Sequence, residues 1–579
     1  MRASIAYALG AMTVTPTSVT PPVRSSARES VERAWVSAVK TGALPTLPGD
    51  AAAPPVELNR PANPDHGDLA SNLALKLAKP LRRPPLAIAE ALAAALRAGL
   101  AEHASDSPIA AVEVAPPGFL NLRLAPAFLE RALDAARASG EGYGRLSAAN
   151  PRKINVEFVS ANPTGPLTVG NARGAFVGDL LSRVLEAGGN TMTREYYFND
   201  SGRQVLMLGA SVAARRMNEP LPEEGYRGQY VEDLARELPD EIWARAIEAG
   251  ADRDAILGAW ASERIRKGIE ASLEHLGVHF DVWKNETSLH SEGWVERAVT
   301  RLRDAGYLYE QDGATWFRST SFGDDKDRVV FRSDGTPTYF AADIGYVTEK
   351  FSRGFDKLIY VWGEDHHGTV ARNRNAAEAM GYDRAAVEML LIAWVRFVRD
   401  GKDISMSKRA GEFISLDELL AEVGVDAARW YFGSRAPSTG IDFDIELAKK
   451  QSNENPVYYV QYAHARIASI LRKAATNGLT PADSLAGTLA DDPVAQGLAK
   501  VILRLPEVVE DASAAEETQG VTAYATELAT TFHAYYRDRR VVDADDPVTS
   551  AARLALVDST RLALRNTLAL LGISAPDSM

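Results

Sequence analysis

Residues 153 to 198 constrain the fold more than any other stretch of the chain. Ile154, Val156 and Phe158 alternate with Asn155, Glu157 and Val159, which is the period of a strand. A Pro/Gly turn follows, and then Ala172, Phe176, Leu180 and Val184 recur at helical spacing until Gly188-Gly189 ends the helix. Thr191 to Phe198 supplies a second strand. Strand, helix and strand in so short a span have the pattern of a right-handed crossover between parallel strands, so a Rossmann-like α/β sheet is expected. A ligand phosphate belongs at the first turn of such a unit, here PTGPLTVGN, where helix N–H groups carry partial positive charge and Gly165 and Gly170 admit a close backbone. A tight connection without a ligand shares the same local pattern.

The chain has 579 residues, 46% of them apolar and 24% charged, which is enough for several packed cores. Residues 1 to 28 hold no acid, carry Arg2, Arg24 and Arg28, and pass through TVTPTSVTPP. That composition reads as a disordered tail, and deleting residues 1 to 26 is expected to leave folding unaffected. A targeting segment or a start near Met12 would share it. Residues 29 to 145 read as a small α/β domain, with a helix in PPLAIAEALAAALRAGL and a strand from Phe119 to Leu124. The parallel-sheet domain spans 150 to 444, with a helical insertion at about 215 to 290, and an all-α domain fills 445 to 579.

A second strand-to-helix turn lies in LIYVWGEDHHG. Its adjacent His366 and His367 diverge in space and lack a spaced carboxylate or cysteine, so no metal site is expected. Trp394 to Met406 reads as a hairpin about Asp400-Gly401, followed by the cationic loop SKRAGE and a capping box from Ser415 to Glu418. In the helical domain, Tyr458, Tyr459, Tyr462 and Arg466 are candidates to stack bases and meet phosphates, or else belong to the core.

Composition narrows the functional classes. The 64 basic and 77 acidic residues give a net charge of −13, which argues against coating nucleic acid or membrane but leaves room for a local basic groove. With no cysteine there is no disulfide framework, thiolate zinc site or cysteine nucleophile. No apolar run approaches the roughly 18 residues of a membrane span, so a soluble, cytoplasmic protein is expected.

Taken in order, NPDHGDLASNLALKLAK, EFVSANPTGPLTVGNARGA, YYFNDSGRQ, SDGTPTYFAADIGY, YVWGEDHHG, RDGKDISMSKRAG and NENPVYYVQYAHARI resemble the bacterial arginyl-tRNA synthetases, a class I family. The resemblance runs from about Glu29 to Met579. It implies activation of L-arginine by ATP carried with Mg²⁺, then transfer to the terminal adenosine of tRNA(Arg), by a monomer with no membrane partner. It further implies that Thr168, Gly170, Asn171 and Lys408 act on the phosphates, and that Gly165, Gly363, Asp365, His366, Met406, Ser407 and Lys408 hold ATP. Asp343 is the first choice for gripping the guanidinium and Glu157 the second, with Tyr339 packing on it and Asn162 placing the polar end of the amino acid.

Two signatures depart from the family pattern. Thr168-Val169-Gly170-Asn171 stands where His-x-Gly-His is usual, and Ser405-Met406-Ser407-Lys408 where Lys-Met-Ser-Lys is usual. Neutral donors therefore replace imidazoles, and one lysine of the pair is kept. Two other readings stay open. One is an adenylating paralogue with a non-tRNA acceptor, and the other is a non-catalytic tRNA-binding protein.

Overall fold

The computed structural model describes residues 22–49, 51–102, 106–404 and 415–579. Helix α1 (Val23–Lys40) opens this range. It is followed by β1 (Leu58–Asn59), β2 (Leu69–Ser71), α2 (Leu73–Leu81), α3 (Pro85–Glu102), β3 (Ile109–Ala115), β4 (Phe119–Leu124) and α4 (Pro126–Ser139). The four strands form one antiparallel sheet in the order β1-β2-β4-β3. Ile88, Leu92 and Leu96, four residues apart, are buried and form one stripe that is the packing face of α3.

The expected tail ends earlier than its composition suggested. Residues 23 to 28 belong to α1, because Val23, Ala27, Val31 and Trp35 follow one another at four-residue spacing and are all buried. Arg24 adds a second tie. Its backbone N–H donates to Glu507 Oε1 at 2.9 Å, and its guanidinium reaches Asp511 Oδ2 at 2.9 Å in the C-terminal helices. Deleting residues 1 to 26 should therefore lower the melting temperature by a few degrees, since these charged hydrogen bonds together contribute about 1 to 2 kcal/mol. A melting curve superimposable on that of the full chain would contradict this. Residues 1 to 21 lie outside the described residues.

The crossover unit is β5 (Lys153–Glu157), α5 (Val169–Ala187) and β6 (Thr191–Phe198), with β5 and β6 parallel. Helices α6 (Arg203–Met217), α7 (Gln229–Glu237), α8 (Asp240–Glu248) and α9 (Arg253–His275) leave the sheet, and β7 (Val282–Asn285) rejoins it parallel to β6. The helical excursion thus closes before residue 282, not near 290. Its last expected residues are a sheet strand and the start of α10 (Glu286–Ser291). Next come α11 (Trp294–Asp304), the small antiparallel sheet β8 (Leu308–Gln311), β9 (Ala314–Phe317) and β10 (Arg328–Phe331), then α12 (Tyr339–Ser352), β11 (Lys357–Gly363), α13 (His367–Ala379) and β12 (Val387–Ile392).

The five parallel strands stand in the order β12-β11-β5-β6-β7. With β6 on one side of β5 and β11 on the other, the chain order reverses at β5. In sheets of this kind ligands bind in a crevice at such a reversal, beyond the C-terminal ends of the strands, here β5 and β11.

The hairpin is present as β13 (Val395–Arg399) and β14 (Lys402–Asp403), and β15 (Ile441–Asp444) adds a parallel partner to β13. Between them, α14 (Leu416–Val423) starts at the expected capping box: Ser415 N–H donates to Glu418 Oε2 at 2.7 Å, and Glu418 N–H donates to Ser415 Oγ at 3.2 Å. Then α15 (Val425–Gly433), α16 (Ile445–Lys449), α17 (Pro456–Thr476), α18 (Pro493–Ile502), α19 (Leu505–Ala515), α20 (Gln519–Asp538) and α21 (Pro547–Leu570) complete the fold. Among the described residues, no single helix is long and apolar enough to cross a membrane.

Candidate active site

The turn between β5 and α5 is held in a strained shape. Val159 and Ser160 have φ of 66° and 40°, a left-handed conformation that costs a β-branched residue about 1 to 3 kcal/mol. Several contacts hold it there. Ser160 Oγ accepts the Tyr197 N–H at 3.1 Å and donates to Glu157 Oε1 at 3.3 Å, while the Tyr196 hydroxyl donates to the Ala161 carbonyl at 2.9 Å. Tyr230, from α7, donates to the Thr164 carbonyl at 2.9 Å beside Gly165. Asn162 is left exposed at the mouth of the crevice.

The four signature residues then start α5. Thr168 N–H donates to Asn171 Oδ1 at 3.0 Å, and the Thr168 hydroxyl donates to the same oxygen at 3.2 Å. Thr168 and Asn171 therefore form a capping pair at the start of α5, and the Thr168 hydroxyl proton faces Asn171. Gly170 is exposed, and a first helical turn keeps N–H groups that have no intrahelical acceptor. The first lasting charge, Arg173, is structural. It is 1% exposed and donates to the carbonyls of Ala393 (2.8 Å), Ala436 (3.0 Å) and Thr439 (2.7 Å), locking α5 to the strands beyond β12.

Ser415 forms an antiparallel bridge with Thr168, and Leu416 N–H donates to the Leu167 carbonyl at 3.2 Å. Ser415, which follows the cationic stretch in sequence, thus sits against the turn at Thr168. Met406, Ser407 and Lys408 lie outside the described residues. At the neighbouring strand end, Asp365 Oδ1 folds back to within 2.4 Å of where a Cβ on Gly363 would stand, so the carboxylate lies against the end of β11. Asp365 and His366 are exposed, and the His366 ring lies 5.6 Å from that of Trp362.

Three carboxylates, Glu157, Glu286 and Asp343, lie close enough to influence one another. Tyr339 and Asp343 share one face of α12; Tyr339 is 74% exposed at its start, and Asp343 is half-buried one turn further in. Burial pushes the Asp343 carboxyl up to about 7. The guanidinium of Arg372 and a hydrogen bond from Asn373 oppose the shift, and Glu157 and Glu286 reinforce it. Burial also raises Glu286, at the start of α10, against a hydrogen bond from Tyr197. Glu286 and Tyr197 were not anticipated from the sequence; the only signal was a lone acid directly after a short strand.

Glu157 differs from its expected role. Its Oε2 accepts from Lys350 Nζ at 2.6 Å, with Lys350 wholly buried over the rings of Tyr346 and Tyr360, so its charge already has a resident partner. Among the described residues, Asp343 and Glu286 make no ion pair within 4.0 Å. No group of three or more His, Asp or Glu residues among those described is placed to hold a metal ion.

Comparison with known proteins agrees with this geometry. Residues 27–124 match the family model for the arginyl tRNA synthetase N terminal domain, and residues 133–431 the model for the class I (R) tRNA synthetase catalytic domain. An arginine-tRNA ligase of Geobacillus kaustophilus is 44% identical, over 91% of this chain and 95% of its own. The arginine-tRNA ligase of Bacillus subtilis is 41% identical, over 92% and 96%. The chain belongs to the arginine-tRNA ligase family. The Thermus thermophilus arginyl-tRNA synthetase superposes with a TM-score of 0.73 at 25% identity, covering 95% of this chain and all of that one.

In this member of the family the C-terminal helices, residues 460–579, match the DALR anticodon binding domain. Their surface carries the expected aromatic residues as one ladder. Tyr458 and Tyr462 stack with ring centroids 6.3 Å apart, His533 from α20 lies 5.0 Å from Tyr459, and Arg466 covers the Tyr536 ring at 4.6 Å. Tyr458, Tyr459, Tyr462 and Arg466 are each half-buried, so none is fully enclosed in the core. Burial and Arg466 push His533 down to about 4, which keeps the ladder uncharged at that position near neutral pH.

Proposed function

We propose that the chain activates L-arginine with MgATP and transfers it to the terminal adenosine of tRNA(Arg). The observation that carries this is the carboxylate cluster in which Asp343 and Glu286 have no ion pair within 4.0 Å, in a domain whose parallel sheet reverses its chain order at β5. Two carboxylates offer the planar guanidinium a forked set of acceptors, which an ammonium group does not fill. Asn162 at the mouth orients the amino acid's polar end, and Tyr339 covers its chain.

The phosphates fall at the first turn of α5, where N–H groups stabilise the charge that develops on the α-phosphate and pyrophosphate. Asp365 accepts from the ribose at the end of β11, and Lys408 supplies the cation on the loop anchored by Ser415. Magnesium arrives with ATP. The Tyr458, Tyr459, Tyr462 and Arg466 ladder is the surface for the anticodon arm, and base stacking there contributes about 1 to 3 kcal/mol per ring. The protein acts as a cytoplasmic monomer. Aminoacylation with purified tRNA and each amino acid in turn tests the reading, which requires charging with arginine alone.

The bond between Thr168 and Asn171 favours one second reading, a turn committed to its own cap that binds tRNA without catalysis. The two readings separate on wild-type exchange, which the second reading lacks, and one variant probes the turn itself. Thr168→His with Asn171→His should speed arginine-dependent ATP–pyrophosphate exchange, measured with tRNA present, by about tenfold, because contacts to the transition state are regained and no internal bond has to open. The wild type should show no histidine-type titration from this turn. A slower double variant would show that the crevice has repacked around the smaller side chains.

A further inference from the structure

One buried guanidinium joins the catalytic helix to the C-terminal helices. Arg429, on α15, is 1% exposed, and its Nη1 donates to Asp179 Oδ2 on α5 at 2.7 Å. Its other donors reach the carbonyls of Leu276 (2.8 Å) and Gly277 (2.8 Å) at the end of the helical excursion, and of Leu571 (3.3 Å) at the end of α21. A Cβ on Gly572, where φ is +64°, would come within 2.3 Å of Nη1, so the C-terminal segment is shaped around this group.

The same helix reaches the aromatic ladder. Asp426, one turn before Arg429, accepts from Gln461 Nε2 at 2.8 Å and from Ser574 N–H at 3.1 Å, and the Ser574 hydroxyl bonds it too. Gln461 lies between Tyr459 and Tyr462 on α17. At its other end, the α14–α15 pair touches the nucleotide turn through the Ser415–Thr168 bridge, while Arg429 holds α5 about 16 Å further along, at 1.5 Å per residue. Helices α14 and α15 therefore grip the catalytic helix at two points and the tRNA-facing helices at a third.

We propose that Arg429 is a positioning residue through which engagement of the anticodon arm on α17 sets the placement of the nucleotide turn. The inference rests on the proposed function, since it assumes that tRNA docks on the ladder. A planar fork shared among four segments moves as a unit with them, so a shift of α17 and the C-terminal segment reaches Asp179 without intervening solvent.

The test is kcat for aminoacylation at saturating tRNA, using the cognate tRNA and the same tRNA with its three anticodon bases substituted. Arg429→Lys keeps the charge but loses the fork, and Ser574→Ala, at an exposed position, loosens the tie from the other side without a folding burden. Each variant should lower kcat for the cognate tRNA by about tenfold, to the level of the substituted tRNA, while kcat for the substituted tRNA and the Kd for the cognate one stay unchanged. Equal losses on both tRNAs would reduce Arg429 to a scaffold residue. Unaltered kcat in both variants, or a wild type whose kcat ignores the anticodon, would also overturn the proposal. Absence of any charging by the wild type would instead remove the proposed function itself.

Discussion

Asp343→Asn should raise the KM for arginine about 30- to 1,000-fold and leave the KM for ATP nearly unchanged, because one buried, charged hydrogen bond is worth roughly 2 to 4 kcal/mol. The position is specific. Asp343 is one of two pocket carboxylates without a resident ion pair, and it is the one on the same helix face as Tyr339. Its titration adds a second signature. A carboxyl held up near 7 is largely protonated at pH 6 and ionised at pH 8, so the wild-type arginine KM should rise as pH falls across that window. The Asn variant should lack that dependence. Stability runs the other way: with the carboxyl raised from the ordinary 3.8 to about 7, the folded chain favours the protonated form, and stability is lost as pH rises across that interval. At pH 8 the ligand-free Asn variant should melt no lower than the wild type. Arginine kinetics unchanged in KM and in pH profile would remove Asp343 from the pocket.

Lys350→Met should destabilise the protein by about 3 to 5 kcal/mol, since it leaves the buried Glu157 without its counter-charge. The effect spreads because the pair belongs to a network under the sheet. Glu195 accepts from Asn155 Nδ2 at 2.8 Å and from Arg353 at 2.7 Å, and Tyr346 bonds it as well. Glu157→Gln combined with Lys350→Met should recover much of the loss, because a neutral amide is cheaper to leave in that interior than a carboxylate. Chemical denaturation of the two variants measures this. A single Lys350→Met variant as stable as the wild type would show that Glu157 is already neutral and that Lys350 contributes nothing to the pocket floor.

The elements governed by local periodicity were legible in the sequence. The β5-α5-β6 crossover, the α3 stripe, the β13–β14 turn and the Ser415 box all depend on residues within one or two turns of each other. The placement of Tyr339 and Asp343 on one helical face was legible for the same reason. What escaped notice depends on tertiary contact. Asn155 and Glu157 alternate with apolar neighbours as on a half-exposed strand, yet they are buried, because α12 lays Lys350 and Arg353 over that face. Nothing adjacent to Glu157 signals a lysine almost 200 residues away, with |i−j| of 193. Strand β7 is four residues long with three half-buried, too short for its period to stand out against flanking helices, so Glu286 passed as part of the insertion. Residues 23 to 28 have the composition of a tail, whereas Arg24 is held by carboxylates from the C-terminal helices.

The most direct measurement is ATP–pyrophosphate exchange by the wild-type protein with tRNA present, run with arginine and, separately, with lysine and citrulline. Citrulline keeps the planar shape without the charge, and lysine keeps the charge without the fork, so the pair isolates what two carboxylates at Asp343 and Glu286 recognise. The account predicts robust exchange with arginine and at least about a hundredfold less with either analogue, a loss of about 2.7 kcal/mol or more. Tight tRNA binding with no arginine-dependent exchange would contradict it, and would make the Thr168–Asn171 turn a cap rather than a nucleotide site.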